Sequence, residues 1–421
     1  MSRSRILIPE NLHHPNREIG LLCHLIISRT ATYTTEEQDE NGKWAYLNVE
    51  LRKGVFGEAK IDNREMYLWV VDEAERRRII EVKNYSPGTR PFGFCLTPKY
   101  AAAKPVWRTI TGEVARRYND FKANDWLQQK KAVEGKTRIS PRTYDRLRAH
   151  LKRITVKCDD ASMDWLKNHP ATVKATERCY RDTDRILIDK VNEGGEFGVS
   201  IAPRAYRFSS WVNRCWTPIR KLILADGEQT VERDVHCSHG AIIVGWCLKK
   251  YGEHSDLLLA RDLIERGLFW KHLQKLTGCE DMPKGKWKQE YWFGFLFDRW
   301  NPVRKTEDGR VFYPQYPLKA VFKEHFPHIY DFLRYMKTEC PQDDYPDEER
   351  HKHLSLKCLR FESELMLQDV LTNGLWILDG NRFATSVHDS IIVKKTDEDL
   401  LVQEMKEGWT RRVGFCPQVK S

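Results

Sequence analysis

Two aspartates that lie far apart in the sequence, Asp234 and Asp389, are the residues best suited to do chemistry. Asp234 lies at the end of a β-prone segment that a polar cluster and then an apolar segment follow. Asp389 lies in a His-Asp-Ser sequence between two β-prone segments, which predicts a hairpin with His388 and Asp389 at its bend. Carboxylates from two strands can bind two Mg²⁺ ions, the arrangement used for in-line phosphoryl transfer. An ordinary polar turn is the alternative interpretation of the His-Asp pair.

A second set of residues could bind an anionic ligand. Lys284, Lys288 and Trp292 are spaced by four residues, which predicts that they share one face of a helix. Lysines can clamp phosphates, and aromatic side chains can stack on a base. The largely apolar segment 353–371 contains Glu362 and Glu364, and one of them could assist a metal site.

Composition limits the class of protein. The chain has 421 residues, of which 41% are hydrophobic and 11% aromatic, so a folded protein of two or three domains is expected. No apolar segment approaches the roughly 20 residues that span a bilayer, and the first residues do not resemble a secretory signal. The eleven cysteines include no C-x-x-C pair, which favours reduced thiols in a cytoplasmic setting over a disulfide framework or a zinc ribbon.

The basic residues are concentrated in one part of the chain. The net charge is +10, and Lys and Arg crowd residues 130–157. Ser140 and Pro141 predict the start of a helix, as an N-cap residue followed by proline at the first helical position. The basic residues of this segment either contact a phosphate backbone or form a solvated helix face; they are Arg142, Arg146, Arg148, Lys152 and Arg153.

Three regions follow from these patterns, and they indicate the α+β class. Residues 1–100 read as a mixed α/β domain of unknown role, with β-prone segments at 45–51 and 66–71. Residues 101–200 read as helical and basic. A glycine-rich segment at 192–203 marks the boundary to residues 201–421, in which strands and helices alternate.

The order of the segments after residue 200 resembles the polymerase core shared by family A DNA polymerases and single-subunit phage-type RNA polymerases. "RFSS" at 207–210 and "TPIR" at 217–220 are similar to the element that opens this core. "VERDVHCSHGAII" resembles motif A, with Asp234 and, five residues later, His239. "KGKWKQEYWFGFLF" resembles motif B, although its second aromatic residue, Phe297, is off register by about one position. "VHDSIIV" resembles the motif C hairpin.

This resemblance implies a right-hand polymerase, with a palm whose antiparallel sheet carries the His-Asp hairpin, fingers at about 250–335, and a thumb-like region at 101–200. Asp234 and Asp389 would then bind two Mg²⁺ ions, with Mn²⁺ as a possible substitute, and His388 would support the primer end. The nucleotide-binding residues would be Lys284, Lys288, Trp292, Phe297, His239 and Arg220. The nucleic-acid contacts would be Arg207, Arg142, Arg146, Lys152 and Arg153.

The resemblance therefore predicts a template-directed nucleotidyltransferase, in the first place a compact DNA polymerase without a proofreading exonuclease. Its partners would be a DNA primer–template and nucleoside triphosphates, with no membrane. A single-subunit RNA polymerase or primase is the alternative, since His239 replaces the Glu of DNA-making members and Ser390 follows Asp389 as in the RNA polymerases. A non-polymerising nucleic-acid-binding accessory protein and a metal-dependent nuclease also remain open.

Overall fold

A computed structural model describes most of the chain. The described residues are 3–13, 17–32, 45–46, 55–56, 60–61, 64–83, 93–101, 103, 105–169, 171–173, 176–178, 182–194, 198–301, 304–305, 311–312, 317–341, 349–373, 376 and 381–420. Every strand pair in this part of the chain is antiparallel. The fold is mixed, with helices and antiparallel strands, and is compatible with the predicted α+β class.

The strands, in chain order, are β1 (Arg3–Pro9), β2 (Ala45–Tyr46), β3 (Lys60–Ile61), β4 (Arg64–Glu65), β5 (Ile80–Lys83), β6 (Gly93–Leu96), β7 (Pro105–Thr111), β8 (Ile154–Val156), β9 (Ala171–Val173), β10 (Thr176–Arg178), β11 (Ser200–Ala202), β12 (Arg207–Ser209), β13 (Ile223–Ala225), β14 (Glu228–Val235), β15 (Arg304–Lys305), β16 (Val311–Phe312), β17 (Ala384–Val387), β18 (Ser390–Lys394) and β19 (Val419–Lys420).

The α-helices are α1 (Arg17–Thr32), α2 (Met66–Arg76), α3 (Pro98–Ala101), α4 (Glu113–Val133), α5 (Pro141–His150), α6 (Asp160–Lys167), α7 (Asp182–Asn192), α8 (Trp211–Arg214), α9 (Thr217–Arg220), α10 (Ser238–Tyr251), α11 (Ser255–Glu265), α12 (Phe269–Leu276), α13 (Lys284–Trp287), α14 (Gly294–Phe297), α15 (Pro317–His325), α16 (Pro327–Thr338), α17 (Lys352–Glu364) and α18 (Glu398–Val413). The segments Lys288–Phe293 and Leu365–Thr372 are π-helical, and Leu151–Arg153 and Lys395–Asp397 are 3₁₀ turns.

The chain divides into two compact units. The first comprises Met1–Lys131 and Arg181–Lys190, and the second comprises Ala132–Tyr180 and Val191–Ser421. This division differs from the predicted boundaries near residues 100 and 200. The difference has a structural cause, because β8 pairs with β13 and therefore joins the main sheet of the second unit. The basic segment around α5 thus belongs to the second unit.

The first unit is built around an apolar core in which α1 and α2 pack with the β1–β7 pair and the β2–β6–β5 sheet. One strand prediction fails here, because Met66–Val71 is the start of helix α2. The buried residues of α2 are Tyr67, Val70, Val71 and Ala74, whose spacing follows the period of a helix rather than that of a strand.

The second unit contains the main sheet, in the order β17–β18–β14–β13–β8, with β19 also paired to β14. Helix α10 follows strand β14 in the second unit. Most of its residues are buried, including Ala241, Ile242, Ile243 and Val244. A strand followed by a buried helix was predicted for this segment, and the structure confirms it. Helices α11, α16, α17 and α18 pack against α10, so β14 is held rigidly where it leads into the helix.

The region 105–192 is more varied than its predicted helical pattern. Strands β7, β8, β9 and β10 interrupt the helices. The predicted helix start is confirmed, because Ser140 is the N-cap of α5 and its side chain accepts a hydrogen bond from the Arg142 amide. The helix ends at His150, so Lys152 and Arg153 lie beyond it, in a 3₁₀ turn.

Within the described residues, none of the helices has the length and apolar character that crossing a bilayer demands.

Candidate active site

The hairpin between β17 and β18 holds Asp389 at one end of the main sheet. Val387 pairs with Ser390, so His388 and Asp389 form a two-residue turn. His388 has a φ of 58°, a value that such turns usually give to Gly or Asn. The strands on both sides are buried, and a strained residue persists where the surroundings fix it. The turn therefore presents Asp389 in a fixed position, with the His388 side chain exposed.

Strand β14 brings Asp234 next to this turn. Asp234 pairs with Ser390, the residue after Asp389, and on the other edge of β14 it pairs with Lys420. Side chains that lie directly opposite each other in an antiparallel pair share one face of the sheet, with Cα atoms about 4.5–5.5 Å apart. The two aspartates that are 155 positions apart in the sequence are thus neighbours in space.

The electrostatics of the two aspartates fit a divalent cation. Burial, together with the negative charges of Glu362 and Asp234, raises the pKa of Asp389 to about 7. Asp234 Oδ1 is buried and has no hydrogen-bond partner in the part of the chain that the structure describes. Among the described residues, the side-chain donor to the Asp389 carboxylate is Ser238 Oγ, at 3.2 Å. The site therefore carries acceptor oxygens and negative charge that its described neighbours satisfy only in part.

Two carboxylates do not make a closed metal site. Among the described residues, no group of three or more acidic, His or Cys side chains has an arrangement that could hold a metal ion. Mg²⁺ is usually bound by one or two carboxylates together with substrate phosphates and water rather than by a cage of protein ligands. Asp234 and Asp389 fit that open type of site, and a phosphate ligand would complete it.

The turn between β14 and α10 is buried, although its polar sequence predicts exposure. His236, Cys237 and Ser238 are all buried. Cys237 lies in the left-handed region, with φ 60° and ψ 48°, and its Sγ would lie 2.2 Å from a Cβ atom at position 240, so a side chain there would force the buried thiol to move. Burial lowers the pKa of His236 to about 3, with the positive charges of Lys284 and Lys420 acting in the same direction.

Glu362 is a buried carboxylate behind the two aspartates. It lies on α17, is 1% exposed, and forms an ion pair with Arg207 of β12. Its Oε1 lies 3.4 Å from Nε2 of His239 on α10. Burial acts to raise the pKa of Glu362, but the His239 ring and the Arg207 guanidinium outweigh it and hold the pKa below its usual range. Burial lowers the pKa of His239, so Arg207 is the group that keeps Glu362 ionised at neutral pH.

The sequence does not show which of Glu362 and Glu364 lies near the two aspartates. Glu364 instead accepts hydrogen bonds from Thr137 Oγ1 at 2.9 Å and from the Arg138 amide at 3.2 Å. Glu362 is therefore the carboxylate that lies near the aspartates. Arg207, predicted to contact nucleic acid, has Glu362 as its partner and helps to position that carboxylate.

The two predicted phosphate-binding lysines lie close to the aspartates. Burial lowers the pKa of Lys284 and of Lys288, while the charge of Asp234 acts in the opposite direction on both. Asp389 acts in the same way on Lys288. Lys284 is exposed, and Lys288 Nζ lies 4.3 Å from the centre of the Trp270 ring. Positive and negative groups therefore lie together, as the binding of a metal–phosphate complex requires.

A π-helical segment changes which aromatic residue reaches the site. Because Lys288–Phe293 is π-helical, residues spaced by four no longer share one face, and one residue is added to the turn. Trp292 is buried against Trp270 at a ring distance of 4.9 Å, so its predicted stacking on a base is wrong. Phe297 lies edge-on to His239, at a ring distance of 5.7 Å.

Phe293 and Phe297 form an aromatic pair beside His239. Their rings are stacked, with centres 5.6 Å apart, and Phe293 is 43% exposed. Phe293 therefore lies at the surface. This exposed face, rather than Trp292, is the surface on which a base could stack.

Two predicted phosphate contacts are structural instead. Arg220 Nε lies 3.0 Å from Glu232 Oε2, and the other oxygen of Glu232 accepts a hydrogen bond from Ser390 Oγ at 2.7 Å. Arg153 donates to Asp226 and to the Arg382 carbonyl, at 2.7 Å for the latter, so it ties the 3₁₀ turn to the sheet. Arg142 and Lys152 are exposed and Arg146 is half-buried, so these three could still face a ligand.

Two residues of the site were not predicted from the sequence. Ser238 opens the apolar helix α10, and a Ser before an apolar segment is a helix-start signal that could have drawn attention to it. Lys420 lies in a two-residue strand and has no periodic neighbours, so no local pattern marks it.

No protein-family model matches the sequence, and the comparison with curated proteins finds no significant match.

Proposed function

We propose that the chain is a template-directed nucleotidyltransferase that transfers a nucleotide from a nucleoside triphosphate to a primer 3′-hydroxyl. The single observation that carries the proposal is the pairing of Asp234 with Ser390, the residue that follows Asp389, so that the two acids are neighbours at one end of the sheet and the charge of Asp234 acts on Asp389. The sequence resemblance to the polymerase core of family A and phage-type enzymes predicts both residues and their order.

Each side chain has a role in this proposal. Asp234 and Asp389 would hold Mg²⁺, which would lower the pKa of the attacking hydroxyl and neutralise charge on the leaving pyrophosphate. Lys284 and Lys288 bind the phosphates through charge-assisted hydrogen bonds. The Phe293–Phe297 pair packs beside the incoming base. Ser238 orients the Asp389 carboxylate, and Glu362 adds a fixed negative charge behind it.

The lysines favour this reaction over metal-dependent hydrolysis of a nucleic acid. A nuclease also uses paired carboxylates, but it has no triphosphate to bind. The charges of Asp234 and Asp389 affect the pKa of Lys288, and that of Asp234 affects Lys284, so the ammonium groups lie within electrostatic range of the acids. An accessory protein that only binds nucleic acid would need neither acid.

Primer extension on a labelled primer–template tests the proposal. Wild-type protein with Mg²⁺ should extend the primer, whereas Asp234→Asn and Asp389→Asn should not, and the surface variant Asp262→Asn is the matched control. Supplying dNTPs and rNTPs separately shows which sugar the site accepts, and extension with rNTPs alone would assign an RNA polymerase. Extension that survives in both active-site variants would refute the proposal.

The basic face of α5 gives a separate prediction. Arg142 is exposed and Arg146, one turn later, is half-buried, while Thr143, Tyr144 and Leu147 face the core. If both arginines bind duplex phosphates, Arg142→Glu with Arg146→Glu should reduce the slope of log affinity against log salt by about 0.9 for each phosphate that is no longer neutralised. Fluorescence anisotropy with a labelled duplex measures this slope. An unchanged slope, equal to that of an Arg266→Glu control, would exclude α5 from the interface.

A further inference from the structure

Lys420 of β19 is a charged residue of the site to which the proposed reaction gives no role. Its Nζ lies 3.0 Å from Asp234 Oδ2 and 3.4 Å from the Val235 carbonyl oxygen. Lys420 pairs with Asp234 across one edge of β14, and Ser390 pairs with Asp234 across the other. Side chains that are opposed in this way lie in one row on the same face, so Lys420 lies directly beside the acid that would bind metal.

Lys420 also lies within electrostatic range of the two phosphate-binding lysines. Burial is the main cause that lowers the pKa of Lys284 and of Lys288, and the charge of Lys420 lowers both further. Of these three lysines, Lys420 alone has an ion pair with an acid in the described part of the chain. The charge of Lys420 thus acts on both phosphate-binding lysines, and among the described residues Lys420 is the one of the three that is paired with a carboxylate.

We propose that Lys420 is the resting counter-ion of Asp234, that it is released when a divalent cation binds there, and that it then binds the phosphates of the nucleotide. This inference depends on the proposed function, because it assigns Lys420 a place in the same site. It makes Lys420 a third phosphate ligand, which the sheet supplies in addition to Lys284 of α13 and Lys288 of the π-helical segment.

Charge repulsion explains the exchange. Asp234 Oδ1 is the oxygen without a hydrogen-bond partner among the described residues, whereas Oδ2 accepts from Lys420. A divalent cation on Oδ1 and the ammonium group on Oδ2 would share one carboxylate, so the two positive charges would lie close enough to repel each other. The flexible lysine stem allows the ammonium group to turn away, and a bound triphosphate offers it a new anionic partner.

The exchange predicts opposite effects on two ligands. Lys420→Met keeps the length and apolar stem of the side chain but removes its charge. Without its competitor, Mn²⁺ should bind the nucleotide-free protein more tightly, by roughly threefold to tenfold, as measured from the electron paramagnetic resonance signal of free Mn²⁺. Inorganic pyrophosphate in the presence of Mg²⁺ should bind about tenfold more weakly in calorimetry. Lys420→Arg, which keeps the charge, should lie near the wild type in both measurements.

A purely structural Lys420 would weaken both ligands together or change neither, and either result would overturn this inference. The Asp234→Asn variant separates this failure from that of the proposed function. If Asp234→Asn abolishes Mn²⁺ binding while Lys420→Met changes nothing, the metal site stands and only the role of Lys420 is lost. If wild-type protein shows no Mn²⁺ binding that depends on Asp234, both proposals fail. Circular dichroism of each variant verifies that the fold is intact.

Discussion

Asp389→Asn is expected to abolish nucleotide transfer and, at pH 8, to raise the thermal stability of the metal-free protein. Loss of a metal ligand removes several kcal/mol of transition-state stabilisation, so the rate of nucleotide transfer should fall by a factor of about 10³ or more. The gain in stability has a different cause. Burial and the nearby charges of Glu362 and Asp234 raise the pKa of Asp389 to about 7, so an ionised Asp389 is repelled in the folded protein, and asparagine removes that repulsion.

The pH dependence fixes the sign of this effect. The pKa of Asp389 is higher in the folded protein than in the unfolded chain. Between the ordinary aspartate pKa and a pH of about 7, the folded protein therefore keeps a proton on Asp389 that the unfolded chain has lost. The stability contributed by that proton is fully present at low pH and is lost as the pH rises to 7. The advantage of Asp389→Asn should therefore be a Tm higher by about 2 °C or more at pH 8 and should disappear near pH 4.

Thermal unfolding with and without Mg²⁺ measures the effect, with Asp262→Asn as the surface control. Mg²⁺ should stabilise the wild type at pH 8, because a ligand that binds only the folded state raises its stability, and should leave the variant unchanged. If Asp389→Asn is less stable than the wild type at pH 8, an ionised Asp389 is not destabilised by burial and by the charges of Glu362 and Asp234.

Arg207→Met is expected to destabilise the second unit by about 3–5 kcal/mol, the cost typical of leaving one member of a buried ion pair without its partner. Glu362 is 1% exposed, and its Oε2 is paired with Arg207. Removing the guanidinium leaves the carboxylate next to two aspartates, and the pKa of the neighbouring His239 ring is lowered by burial, so that ring does not replace the lost charge. We therefore expect a large loss of stability from Arg207→Met, because Arg207 is the ion-pair partner of the buried Glu362.

A double-mutant cycle separates charge from packing. The double variant Arg207→Met with Glu362→Met removes both charges and keeps apolar volume, and such replacements are often nearly neutral. It should therefore recover most of the lost stability, although it should remain poorly active. Urea unfolding, followed by tryptophan fluorescence, measures the free energies. As a control, Arg266→Met breaks an exposed pair with Asp262 and should cost less than about 1 kcal/mol. A double variant as unstable as Arg207→Met would show that lost packing, rather than an unpaired charge, is the cause.

The local elements of the site could be predicted from the sequence because each has a strong short-range signal. The run Ile391 to Val393 is β-branched and follows a polar pair, which predicts a hairpin, and the structure has one there. The apolar segment after Asp234 predicts a buried helix, and α10 is that helix. The N-cap at Ser140 was predicted correctly for the same reason, because the hydrogen bond involved spans only two residues.

The features that could not be predicted depend on contacts between distant segments. The β-prone residues of Met66–Val71 predict a strand, whereas the buried residues of this helix, Tyr67, Val70, Val71 and Ala74, follow a helical period. The buried position of Trp292 results from the π-helical turn, and spacing rules assume α-helical geometry. The partners of Arg153, Arg220 and Lys420 are Asp226, Glu232 and Asp234, and no pattern along the chain links these pairs.

The most direct test of the central claim, that Asp234 and Asp389 bind a divalent cation together, is an anomalous difference map from crystals of the protein soaked in Mn²⁺. The predicted result is a peak between the two carboxylates, with each of them contributing an oxygen at roughly 2.0–2.3 Å, and no such peak in crystals of Asp389→Asn. A map in which Mn²⁺ occupies other acidic residues while the space between Asp234 and Asp389 shows no peak would contradict the account.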